Sequence, residues 1–127
     1  MIQIPVSVGE LIDKLSILNI KQTMISDNSK LEFINKEFEL LYNFSLEYLN
    51  NEEIFKSYHE LIQVNTRLWK IEDELRIIES QKKFDNNFIE LSRLVYKNND
   101  IRFTIKNKIN QLTNSEIQEQ KDYVNYQ

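Results

Sequence analysis

Apolar residues recur with helical spacing along most of this chain, and polar loops interrupt them at only a few places. After an extended start at Ile2 to Val6, Ser7, Val8, Gly9 and Glu10 form a capping box that opens a first helix. Val8, Leu11, Ile12, Leu15 and Leu18 then fall on one face, with Ile17, Ile20 and Met24 beside them. So wide an apolar surface predicts a central helix. A loop at Ser26 to Ser29 precedes a second capping box, Ser29 with Glu32. Helix two runs to about Leu49 on Leu31, Ile34, Phe38, Leu41 and Tyr48, with Phe33, Leu40 and Phe44 adjoining. Asn50 and Asn51 turn the chain into helix three, where Ile54, Leu61, Leu68 and Leu75 repeat every seven residues up to about Lys82. Helix four restarts after Asp85 and carries Phe88, Leu91, Val95, Ile105, Ile109 and Leu112.

Pro5 and Gly9 are the only proline and glycine, so nothing breaks the later helices. The expected fold is all-α: an elongated antiparallel bundle of four main helices in which helices three and four form a long hairpin. Helix three, at 1.5 Å per residue, would reach roughly 45 Å, longer than a compact domain of this size is wide. Residues 1–113 make one helical domain, and the polar stretch 114–127 is a tail, either frayed or a short helix. An exposed hairpin of that length points to a homodimer.

Composition narrows the chemistry. The 127 residues contain no cysteine and one histidine, His59. Thiolate catalysis, disulfides and sulfur or histidine-rich metal sites are excluded, which leaves only a hard cation such as Mg²⁺ held by carboxylates. No secretory signal and no membrane-length apolar run are present, so a cytoplasmic location is expected. A net charge of −4 argues against a nucleic-acid binder. Acidic residues concentrate in 52–79 and basic ones in 93–108, so the two stretches complement each other without an outside partner.

The second line of helix three reads Tyr58, Asn65, Glu72 and Glu79, polar where a core stripe would continue. Helix four breaks in the same way at Asn98 and Arg102. If the chain reverses around Phe84, positions summing to about 168 lie opposite, which brings Glu72 within about a turn of both. Three readings are open: a structural ion pair that sets helix register, a pocket lined by Glu72, Asp73, Arg76, Glu79, Asn98 and Arg102 for an anionic or polar ligand with or without a divalent cation, or simple solvent exposure on a helix face.

Three weaker patterns stand beside this one. Glu10 and Asp13 lie one turn apart, a spacing that lets two carboxylates share Mg²⁺, although Glu10 is already engaged as a cap. Gly9 and Lys14 could hold an anion at the first turn, or the glycine simply lets another helix approach. Trp69 lies on a flank of helix three with Phe55 and Ile62, as core or subunit contact, and Tyr96 and Phe103 read as packing before base stacking. There is no phosphate loop, nucleophile elbow or Ser–His pair. The all-α nucleotide pyrophosphatases combine a Glu-x-x-Asp pair with a Glu-Glu-x-x-Glu helix, but here Glu52 and Glu53 are followed by Lys56.

Ile4 to Ser7, Gly9 to Lys14, Leu68 to Asp73 with Arg76, and Val95, Tyr96, Asn99, Asp100 and Arg102 together resemble an uncharacterised family of short helical bacterial proteins. The likeness covers nearly the whole chain and implies no substrate or reaction. The leading expectation is therefore a non-enzymatic helical interaction or scaffold protein, homodimeric, with an unknown protein partner or small polar ligand. The alternative is a ligand- or metal-dependent module, a phosphate-compound hydrolase among the options, built on the Glu/Asp/Arg cluster.

Overall fold

The computed structural model describes residues 1–127. Four helices account for the fold: α1 (Val8–Met24), α2 (Asn28–Leu49), α3 (Glu52–Gln81) and α4 (Asn86–Leu112). The expected all-α bundle is what forms. Short polar side chains start each helix by accepting from free amides of the first turn: Ser7 from Glu10, Asn51 from Glu53 and Ile54, and Asp85 from Phe88. At α2 the cap is Asp27 instead of Ser29, because its carboxylate reaches the amides of both Ser29 and Lys30. α3 stops at Lys82, which adopts the left-handed conformation (φ 55°, ψ 35°) and turns the chain back without glycine.

α1 is central and touches all three other helices, whereas α2 reaches only α1 and α3. Contacts run in opposite senses along α1 and α4, where Gly9 meets Asn110 and Asp13 meets Arg102. They do so again along α3 and α4, so α1 lies parallel to α3 on the hairpin. Ile12 and Leu15 from α1, Ile54, Tyr58, Leu61 and Val64 from α3, and Ile105 and Ile109 from α4 form one core cluster. Each side chain of this kind stabilises the fold by roughly 1.5–3 kcal/mol when fully buried.

Two parts of the chain are less covered than their sequence pattern suggests. In α2 only Ser45 is buried, while Phe33 and Phe44 remain 75% and 57% exposed, since that line points away from α1. In the hairpin no residue between Ile71 and Asn98 is buried. With 17 residues α1 spans about 25 Å, and the 30-residue α3 about 45 Å, so the outer part of the hairpin runs past the helix that should cover it.

Beyond α4 the tail forms no helix and folds back along it. Tyr126 donates to Asp100 (2.6 Å) and sets its ring edge-on to Tyr96, while Lys121 lies 5.4 Å over the ring of Phe103. The aromatic faces considered for base stacking are thus in contact with the chain itself. No helix is long and apolar enough to cross a membrane.

Gly9 decides how closely α1 approaches α4. A Cβ there would sit 2.5 Å from the carbonyl oxygen of Lys106 and 2.8 Å from Asn110 Oδ1, both fixed by the helix or by a hydrogen bond. We predict that Gly9→Ala destabilises by about 1–3 kcal/mol. The urea midpoint should fall with the slope unchanged.

Candidate functional site

The approach at Gly9 sets up the polar centre. The Gly9 amide donates to Asn110 Oδ1 at 2.7 Å, so it is closed to an anion, and Lys14 points to the other side, where it pairs with Glu37 of α2 at 3.4 Å. Those two residues are not brought together. Next to the glycine, Glu10 meets Lys106 at 2.8 Å, so it makes only half of the expected capping box. Burial alone would depress the Lys106 ammonium. The hydrogen bond to Glu10 and the charges of Asp13, Glu10 and Glu119 outweigh that and hold it above the usual lysine value.

Asp13 is fully buried, and both its oxygens are bound. Arg102 donates Nε–H to Oδ1 (2.9 Å) and Nη2–H to Oδ2 (2.6 Å), a forked geometry that lysine could not supply. Asn65 of α3 donates to the same Oδ1 (3.0 Å) and to Ser16 Oγ (2.9 Å), and Ser16 donates back to the Asp13 carbonyl (2.6 Å). Bonding to Asp13 raises the Arg102 pKa against the opposing effect of burial. One carboxylate therefore ties α1, α3 and α4 together. Asp13 and Glu10 each face a cation, and Mg²⁺ would have to compete with Arg102 and Lys106 for these oxygens.

Above this junction, where α1 gives out beside the hairpin, a cleft of about 400 Å³ opens. Its floor is apolar, made by Ile17 and Ile20 of α1 and Leu68 and Trp69 of α3. Glu72, Asp73 and Arg76 line it from α3, Asn99 and Arg102 from α4. Asn65 also faces it, and its Oδ1 accepts no bond from the protein.

Four of the six residues expected to cluster are therefore brought to one cleft: Glu72, Asp73, Arg76 and Arg102. Two are not. Asn98 is buried within the hairpin, accepting from Arg67 Nε (3.0 Å) and donating to the Leu94 carbonyl, and Glu79 pairs with Lys82 near the turn at 3.7 Å. The expected opposition of Glu72 and Arg102 does not form either. Arg102 turns to Asp13, because an unpaired carboxylate in the core would cost several kcal/mol, and Glu72 keeps only a 4.0 Å contact with Arg76 on its own helix.

Asn65 was legible as a polar break in helix three, but its link to Asp13 was not. The overlooked signal was the run Gly9, Asp13, Ser16 inside the broadest apolar face of the chain: small or polar residues one turn apart, where larger apolar ones would be expected.

A family model described as a family of unknown function, DUF6165, matches residues 2–126. The chain belongs to that family. No curated protein and no solved structure matches it. The residues of the polar centre and the cleft, from Gly9 to Glu119, lie within those limits, so both are parts of the family domain.

Because Asp13 is buried and Glu72 is not, Asp13→Ala should cost about 3–5 kcal/mol in chemical denaturation, and Glu72→Ala under about 0.5 kcal/mol. Asp13→Leu with Arg102→Met should return close to wild-type stability. Lys106 adds a pH dependence. Its folded pKa lies above the ordinary 10.5, so its contribution is complete below that value and is lost as pH rises through the folded one. Stability should fall above about pH 10.5, and less steeply in Lys106→Met.

Proposed function

We propose that this protein is a helical interaction protein that works as a homodimer through the outer part of its α3/α4 hairpin. One observation carries the reading: the core stripes continue through Leu75, Phe88, Leu91 and Val95, yet all four are only half-buried, and Phe84, edge-on to Phe88 at 5.1 Å, is 54% exposed. A two-helix hairpin cannot enclose its own apolar line. It needs a second layer, which α1 and α2 provide only for the inner half.

The total surface supports this. A monomer of 15.4 kDa ordinarily exposes about 7,200 Å², and this chain exposes 9026 Å². The excess of about 1,800 Å² is shared between the exposed chain ends, residues 1–6 and 121–127, and the hairpin, and it is more than twice the roughly 800 Å² that each partner contributes to a standard interface. Asp13, the one fully buried carboxylate, has both oxygens taken by donors, which favours a structural role for the polar centre over acid–base chemistry.

Sedimentation equilibrium should give a mass near twice the 15.4 kDa chain. Phe88→Glu with Leu91→Glu should give a folded monomer with unchanged helix content, since neither side chain belongs to the inner core. A wild-type monomer at about 100 μM, well above the 1 μM dissociation constant of an ordinary weak dimer, would defeat the proposal.

A further inference from the structure

We propose that the cleft beside Trp69 is the receptor for the hairpin tip of a second copy, with the two hairpins antiparallel about a two-fold axis. This rests on the homodimer reading and names its contacts. The two surfaces have complementary chemistry. The cleft has an apolar floor of Ile17, Ile20, Leu68 and Trp69, and of its four charged lining residues Arg102 is engaged by Asp13 and Arg76 contacts Glu72, which leaves Asp73 without an ion-pair partner. The tip offers Phe84, 54% exposed, directly after Lys82 and Lys83, and Lys83 likewise has no ion pair. A phenyl ring on the floor and ammonium groups at the rim match in both polarity and charge.

The spacing closes as well. From Trp69 and Glu72 to Lys83 is 11 to 14 residues of hairpin, roughly 16–21 Å at helical rise. In an isologous pair each copy spans the same distance in opposite directions, so an axis midway, near Arg76 and Leu91, seats both tips in both clefts at once. The same overlap lays Leu75, Phe88, Leu91 and Val95 of one copy over those of the other. A parallel pairing would instead set lysine tip against lysine tip.

Trp69 is the sole tryptophan, so its emission reports on the cleft. On concentrating the wild-type protein through its dimerisation range, the emission should move to the blue in step with the sedimentation change. Lys82→Glu with Lys83→Glu (tip variant) and Glu72→Lys with Asp73→Lys (cleft variant) should each weaken the homodimer by at least roughly tenfold and delay the blue shift. Mixed one to one they should form a heterodimer of near wild-type affinity, because every acidic tip then faces a basic cleft and every basic tip an acidic one.

A dimer whose Trp69 emission does not change, or whose affinity ignores both charge reversals, overturns the tip-in-cleft contact and leaves the homodimer standing. Weakened variants that do not rescue each other overturn the antiparallel arrangement. If citrate, phosphate or a nucleotide shifts the Trp69 emission of a dimer that ignores both reversals, the cleft belongs to that solute and the inference fails.

Discussion

The buried carboxylate of Asp13 is the constraint on which the arrangement of the helices depends. An ionisable oxygen pair without water must find donors, and here they come from two other helices: the guanidinium of Arg102 on α4 and the amide of Asn65 on α3. Apolar packing alone tolerates a helix rotated by some tens of degrees or slid by part of a turn, because methyl groups are interchangeable at modest cost. The fork of Arg102 on Asp13 is not so tolerant. It sets the rotation and the level of α1 against α4 together, and Asn65 does the same for α3. Gly9 is its counterpart one turn away, since only an absent side chain lets α1 come near enough for Asp13 to be reached.

From that junction the shape of the molecule follows. α1 is committed to the inner half of the hairpin, and its 17 residues end well short of the tip. The hairpin's apolar stripes do not end with it. What results is a step: a layered bundle at one end, an uncovered pair of helices at the other, and at the riser of the step the cleft beside Trp69. The charged residues that first drew notice, Glu72, Asp73 and Arg76, are not an imperfection in a core. They lie past the end of α1, where the face is open to solvent or to a partner, and their polarity is ordinary for that position.

The polar centre and the open hairpin have different physical characters. Around Asp13 the bonds are short, buried and drawn from residues far apart in the chain, so they secure one fold. Along the hairpin the contacts are local and half-exposed, so that region has surface left for association. The domain therefore has one end closed by buried polar bonds and one end whose apolar surface is only half covered.

The helices themselves were readable because the forces behind them are local. Apolar spacing, the absence of proline and glycine after Gly9, and the caps Ser7 and Asp85 act within a few residues, and they delivered four helices with close to the observed limits. Even the error at the start of α2 was local: Asp27 outcompetes Ser29 because a carboxylate two residues earlier reaches two amides. The polar cluster was readable as residues but not as bonds. Glu72 and Arg102 share a cleft, as hairpin register implied, yet the partner of Arg102 is Asp13, 89 positions away, and no spacing rule joins α1 to α4. The sequence by itself determined the helices and which residues were out of place on them. Only the tertiary structure decided which of those residues meet, because that depends on how far one helix can sink against another, and here a single missing side chain at Gly9 sets that depth.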